Sequence, residues 1–144
     1  MSRTEKAVAL FTGGFACSQA VLAVFCERYG LDETMALRIA TGFAGGMKCG
    51  EVCGAVSGAV MVVSLKYGHT VAEDREAKRF AGEKAADFMR AFRERFGGLT
   101  CKELLGCDVA TPEGREFALA NGLFATTCRD AVAAAVTILE EQGY

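Results

Sequence analysis

The chain has 144 residues, 51% of them hydrophobic, with 16 basic against 18 acidic side chains and a formal net charge of -2. That size and apolar content suit one globular domain over residues 1–144, and a single proline with no low-complexity stretch leaves no linker. The balanced charge offers no footprint for a phosphate backbone, so nucleic acid is not an expected partner.

At the N-terminus Arg3 and Lys6 precede the apolar Ala7 to Phe11 in the manner of a secretory leader. Glu5 spoils that positive region and Thr12-Gly13 stops the run, so a cytoplasmic address is expected. A helix is then predicted from about Phe15 to Tyr29, ended by Gly30, and a second with Asp32 as N-cap running toward Gly42. A third is predicted from about Glu51 to Tyr67, ended by Gly68. Its apolar run, Val52 to Leu65, is broken by Ser57 and Ser64 and falls short of the roughly 20 residues that cross a bilayer, so it reads as a buried core helix with no membrane partner.

Gly42, Gly46, Gly50, Gly54 and Gly58 recur at every fourth position. Within the third helix they expose bare backbone, widened by Ala55 and Ala59, against which another helix can pack closely. Tight packing is preferred to a bound group as the reason for them.

From Glu73 to Phe96 the apolar Ala77, Phe80, Ala81, Ala85, Phe88, Met89, Phe92 and Phe96 form one stripe opposite charged residues. Phe80, Phe88, Phe92 and Phe96 are expected to bury that stripe against the third helix or its neighbours. Thr100 with Glu103 makes a capping box for a short helix, Cys101 to Leu105, which Gly106 ends. Thr111 and Pro112 open another helix, and the last begins near Thr126 or Thr127 and carries Val132, Ala135, Val136 and Leu139. No hairpin turn signal occurs. The predicted class is all-α, a compact bundle of about six or seven helices around a Gly/Ala-rich central helix.

Seven cysteines is an odd number, so they cannot all pair within one molecule, and in a reducing compartment they point to packing, metal binding or redox work. Four of them are predicted to start helices. Cys17 follows the Gly13-Gly14 break, Cys53 lies in the first turn after Gly50, Cys101 follows Thr100, and Cys128 follows Thr126 and Thr127. Unpaired backbone N–H groups and the positive helix end favour an anion there, which lowers a thiol's pKa and makes its sulfur reactive.

The remaining three are auxiliary. Cys26 falls on the opposite helix face from Cys17 and is expected to pack; Cys49 could share a face with Cys53, and Cys107 could fold back toward Cys101. No Cys-x-x-Cys occurs, which rules out a thioredoxin motif, a zinc knuckle and haem attachment. The single histidine, His69, reads as a solvated turn residue.

Laid out in this way, the chain resembles the C_GCAxxG_C_C family, whose description is redox activity. The resemblance rests on Gly14-Phe15-Ala16-Cys17-Ser18-Gln19-Ala20-Val21-Leu22, on Gly42 to Met47, and on Gly50-Glu51-Val52-Cys53-Gly54-Ala55-Val56-Ser57-Gly58-Ala59. Leu65-Lys66-Tyr67-Gly68, Cys101-Lys102-Glu103-Leu104-Leu105-Gly106 and Cys128 complete it. It implies a helical protein in which Cys17, Cys53, Cys101 and Cys128 form the functional set. The chain departs from the family name in that Cys53 is followed by Gly54-Ala55 and is not preceded by glycine.

Three functions are compatible with these residues. The preferred one is a cytoplasmic thiol redox or electron-transfer protein, in enzymatic form a thiol-based oxidoreductase, whose cysteines cycle between dithiol and disulfide with a redox partner the sequence does not identify. The second is a metal protein with Cys17, Cys53, Cys101 and Cys128 as ligands of an iron–sulfur cluster or zinc and Cys49 and Cys107 as auxiliaries. The third is a helical interaction module with incidental cysteines. A homo-oligomer is compatible with all three.

Overall fold

The computed structural model describes every residue from Met1 to Tyr144. Eight α-helices follow in order: α1 (Arg3–Thr12), α2 (Cys17–Ala23), α3 (Glu33–Ala40), α4 (Gly54–Tyr67), α5 (Arg75–Phe96), α6 (Cys101–Leu105), α7 (Pro112–Ala120) and α8 (Arg129–Glu141). The only pairing of extended backbone is an isolated antiparallel bridge between Val52 and Thr100. The fold is all-α, and no single helix is long and apolar enough to cross a membrane.

Helix ends follow local chemistry. The Asp32 side chain accepts from the Met35 N–H, Thr111 accepts from Gly114, and Thr100 and Glu103 cap each other reciprocally. The helix that sequence reasoning did not include is α1, which has its own capping box between Ser2 and Glu5 and buries Ala7 against the core. The expected helix from Phe15 to Tyr29 is interrupted: α2 stops at Ala23, and Cys26–Tyr29 is a separate 3-10 turn that ends with Gly30 in the left-handed conformation. The third helix starts at Gly54 and not at Glu51, because Glu51 to Cys53 are extended and pair with Leu99 to Cys101.

At the centre lies α4, which is apolar on all sides and packs against α2, α5 and α8. Two glycines make the α2–α4 crossing close. A Cβ on Gly58 would stand 2.7 Å from the Ser18 carbonyl oxygen, and one on Gly54 would collide with the Cys17 sulfur. Ser18 is fully buried in the crossing, where its hydroxyl donates to the Ala40 carbonyl at 2.8 Å.

On α5, Phe88 and Phe92 are fully buried, and Phe96 stacks on Phe92 with ring centroids 5.3 Å apart. Phe80 departs from the expected stripe, being 41% exposed. Its ring instead lies edge-on to Tyr67 at 5.2 Å with the Lys84 ammonium above it, so it closes the helix end against solvent and not against the core.

Candidate functional site

Two short pieces of backbone bring the cysteines together. The Cys53 N–H donates to the Leu99 carbonyl and the Cys101 N–H to the Glu51 carbonyl, each at 2.8 Å. These bonds frame the Val52–Thr100 bridge, and in an antiparallel pair the residues that follow each bridge partner lie on the same face. Cys53 and Cys101 therefore lie diagonally across the pair on one face, one at the N-cap of α4 and the other the first residue of α6.

Cys17 arrives from the opposite side. It is the first residue of α2, whose start is fixed by Gln19: the Gln19 side chain accepts from the Ala16 N–H and donates to the Leu37 carbonyl and the Thr41 hydroxyl. With no side chain on Gly54, the Cys17 sulfur settles directly on the α4 backbone beside Cys53. Part of Cys17 still faces the cavity.

The three thiols stand in a row, with Cys53 coupled to Cys17 on one side and to Cys101 on the other. The hydrogen bond to Cys53, reinforced by burial, holds the Cys17 proton and pushes that thiol well above the ordinary range. Cys53 is pushed up to about 12, chiefly by Cys101, against a lowering from Cys17 that is itself larger than the push from burial. Burial, with the repulsion of neighbouring sulfur charge at Cys17 and Cys107, pushes Cys128 up to about 12 as well.

This corrects the expectation that helix N-termini lower these thiols. The helix-end N–H groups do act in that direction at Cys17, through bonds from its own and the Ser18 backbone, but sulfur contacts and loss of water outweigh them.

Cys128 also corrects the expectation that it starts a helix. Its backbone is right-handed helical, and its N–H is already bonded to the Leu123 carbonyl within the π-helical turn Phe124–Cys128 that runs into α8. No unpaired helix end faces its sulfur. It nevertheless joins Cys17, Cys53 and Cys101 in the wall of one cavity of about 600 Å³, and a nook of about 10 Å³ behind it touches Cys53, Cys101 and Cys128.

The others lie apart. Cys26 is fully buried, with its thiol donating to the Ala23 carbonyl at 3.3 Å, in the packing role expected of it. Cys49 is exposed and precedes α4, so it does not share a helix face with Cys53. Cys107 is half-buried and close enough to Cys128 to affect its charge. His69 is exposed in the loop after α4, as expected of a turn residue.

No group of three or more His, Cys, Asp or Glu side chains is arranged to hold a metal ion. The alternative of Cys17, Cys53, Cys101 and Cys128 as four metal ligands, with Cys49 and Cys107 auxiliary, finds no such group to support it.

The cavity wall is mostly apolar, with Phe11, Leu105, Val109 and Phe124 among its residues, and it contains two cations, Lys48 and Arg115. Lys48 belongs to a feature that no sequence signal indicated. Gly45, Gly46, Met47 and Lys48 have φ of +65°, +63°, +61° and +60° in succession, a left-handed turn, and the Glu51 N–H bonds to the Gly46 carbonyl at 3.1 Å. A non-glycine residue in this conformation costs about 1–2 kcal/mol, and two in succession mean that the surrounding structure imposes the shape. The only trace in the sequence is the Gly45-Gly46 pair.

The sequence model of the family described as "Putative redox-active protein (C_GCAxxG_C_C)" matches residues 15–142. No curated protein and no solved structure matches the chain.

Proposed function

The chain belongs to the C_GCAxxG_C_C family of redox-active proteins, and from that membership we propose that its redox centre is the sulfur chain Cys17–Cys53–Cys101 with Cys128 beside it, cycling between dithiol and disulfide. The observation that carries this reading is the position of Cys53, which shares one cavity wall with Cys17, Cys101 and Cys128 and lies between Cys17, packed against Gly54, and Cys101. A central sulfur with two sulfur neighbours can form a disulfide with either.

Position in the row assigns roles. We assign Cys101, which lines the cavity beside the central Cys53, as the attacking thiol toward a disulfide substrate, R–S–S–R. It gives its proton to solvent, attacks one substrate sulfur and expels the first RS⁻, which takes up a proton. Cys53 then gives up its proton and attacks the Cys101 sulfur, expelling the second RS⁻, which is protonated likewise. The protein loses two electrons and two protons, and two RSH leave. A thiolate at Cys17 can next attack Cys53, moving the disulfide to Cys17–Cys53 and returning Cys101 to the thiol. A reducing compartment such as the cytoplasm suits the dithiol as the resting form.

The test is a count of thiols with a map of the bond formed. Reduced protein exposed to a small disulfide should lose two of its seven thiols, and acid-quenched peptide mapping should place Cys53 in the new bond with Cys17 or Cys101. Cys53→Ser should abolish that bond while leaving the helical spectrum intact. Retention of all seven thiols, or a bond confined to Cys49, Cys107 or Cys26, would overturn the reading.

A further inference from the structure

The cavity over the sulfur chain carries information about what reaches it. Its volume of about 600 Å³ lies in the range of small-molecule sites and is too small for a folded partner to enter. Most of the wall is apolar, and the four cysteines lie in the same wall. The charged residues of the wall are Lys48 and Arg115 alone, and it contains no acidic residue.

Neither cation is neutralised within the protein. Lys48 and Arg115 take part in none of the ion pairs, whereas the nearby Lys102 is paired with Glu51 at 3.2 Å. The two cations come from separate elements, Lys48 from the left-handed turn and Arg115 from α7. The Lys48 stem lies back over Gly45, with its Cδ 3.9 Å from where a Cβ at that position would be, so the side chain follows the turn into the cavity wall. A cleft lined by charge of one sign, with low-dielectric walls, concentrates ligands of the opposite sign.

We infer that the substrate of the sulfur chain is a small organic disulfide with an apolar body and a carboxylate, the carboxylate held by Lys48 and Arg115 and the apolar part filling the cavity. This rests on the thiol reading above and adds the chemical class of the substrate. The stoichiometry is that already given: protein dithiol and R–S–S–R yield protein disulfide and two RSH, with R carrying the negative charge.

The experiment compares two aromatic disulfides, the dianionic 5,5′-dithiobis(2-nitrobenzoate) and the smaller, neutral 4,4′-dithiodipyridine, each read as its own ratio between the variant and the unaltered chain. The rate of internal disulfide formation at Cys53 is followed by quenched peptide mapping in the unaltered chain and in Lys48→Gln/Arg115→Gln, whose substituted positions are both exposed. The ratio of the anionic to the neutral rate should fall by about tenfold or more in the double variant, and added salt should lower that ratio in the unaltered chain but not in the variant. A ratio that stays within about twofold would overturn the inference while leaving the thiol reading standing, since the bond at Cys53 still forms. If neither probe produces a bond at Cys53, the thiol reading fails and the substrate class fails with it.

Discussion

The sulfur of Cys17 occupies the space that a Cβ on residue 54 would need. Gly54 is the first residue of α4 and is buried, and with Gly58 it lets α2 lie against α4 closely enough for the Cys17 sulfur to reach Cys53. Gly54→Ala should therefore destabilise the protein by about 1–3 kcal/mol, since overpacking outweighs the roughly 1 kcal/mol that alanine gains in helix propensity. It should also slow disulfide formation between Cys17 and Cys53. Gly82→Ala on α5, where a Cβ meets nothing within 4 Å, is the control and should stabilise by up to about 1 kcal/mol. Urea denaturation of both variants checks the pair, and a neutral Gly54→Ala would mean that the close approach does not constrain the site.

Phe88 and Phe80 lie on the same helix in different surroundings. Phe88 is fully buried beside Phe92, with centroids 6.1 Å apart, so Phe88→Ala should cost about 3–5 kcal/mol. Phe80 is 41% exposed and keeps only its edge contact with Tyr67 and the cation above it, so Phe80→Ala should cost about 1 kcal/mol. Equal losses in thermal unfolding would contradict this placement of the two rings.

The raised thiols make stability fall in alkali. Cys53 and Cys128, each near 12 in the folded chain against 9.0 for an ordinary thiol, hold their protons over a pH range where the unfolded chain has lost them. The folded state binds more protons there, so stability is fully present below about pH 9 and declines between about 9 and 12, by about 1.4 kcal/mol per pH unit for each thiol. The alkaline decline in denaturation midpoint should be shallower in Cys53→Ala than in the unaltered chain. An unchanged slope would show that the buried thiols do not set it.

Met47 holds φ of +61° with no Cβ-tolerant reason to do so, and it is 53% exposed. Met47→Gly should relieve the left-handed conformation and stabilise by about 0.5–1 kcal/mol, after allowance for the extra freedom glycine has in the unfolded chain. A lower melting temperature would show that its side chain contributes more by contact than its backbone loses by strain.

The sequence alone determined the all-α class and most helix ends, because a cap needs only residues within three positions of one another. Asp32 with Met35, Thr100 with Glu103, and Thr111 with Pro112 and Gly114 act over that range whatever the rest of the chain does. The cysteine set proposed as the redox centre was legible in part from helix position and in part from family resemblance, and the bare backbone of Gly54 and Gly58 was legible as a packing groove. What only the tertiary structure decided depends on contacts between distant segments. The bridge of Val52 to Thr100 moved the start of α4 and set Cys53 beside Cys101. The π-helical turn before α8 removed Cys128 from a helix end, and the left-handed turn brought Lys48 to the cavity wall. The direction of the thiol shifts was reversed for the same reason: a helix end lowers a thiol through its own nearby N–H groups, whereas burial and a neighbouring sulfur raise it through parts of the chain that meet only in the folded protein.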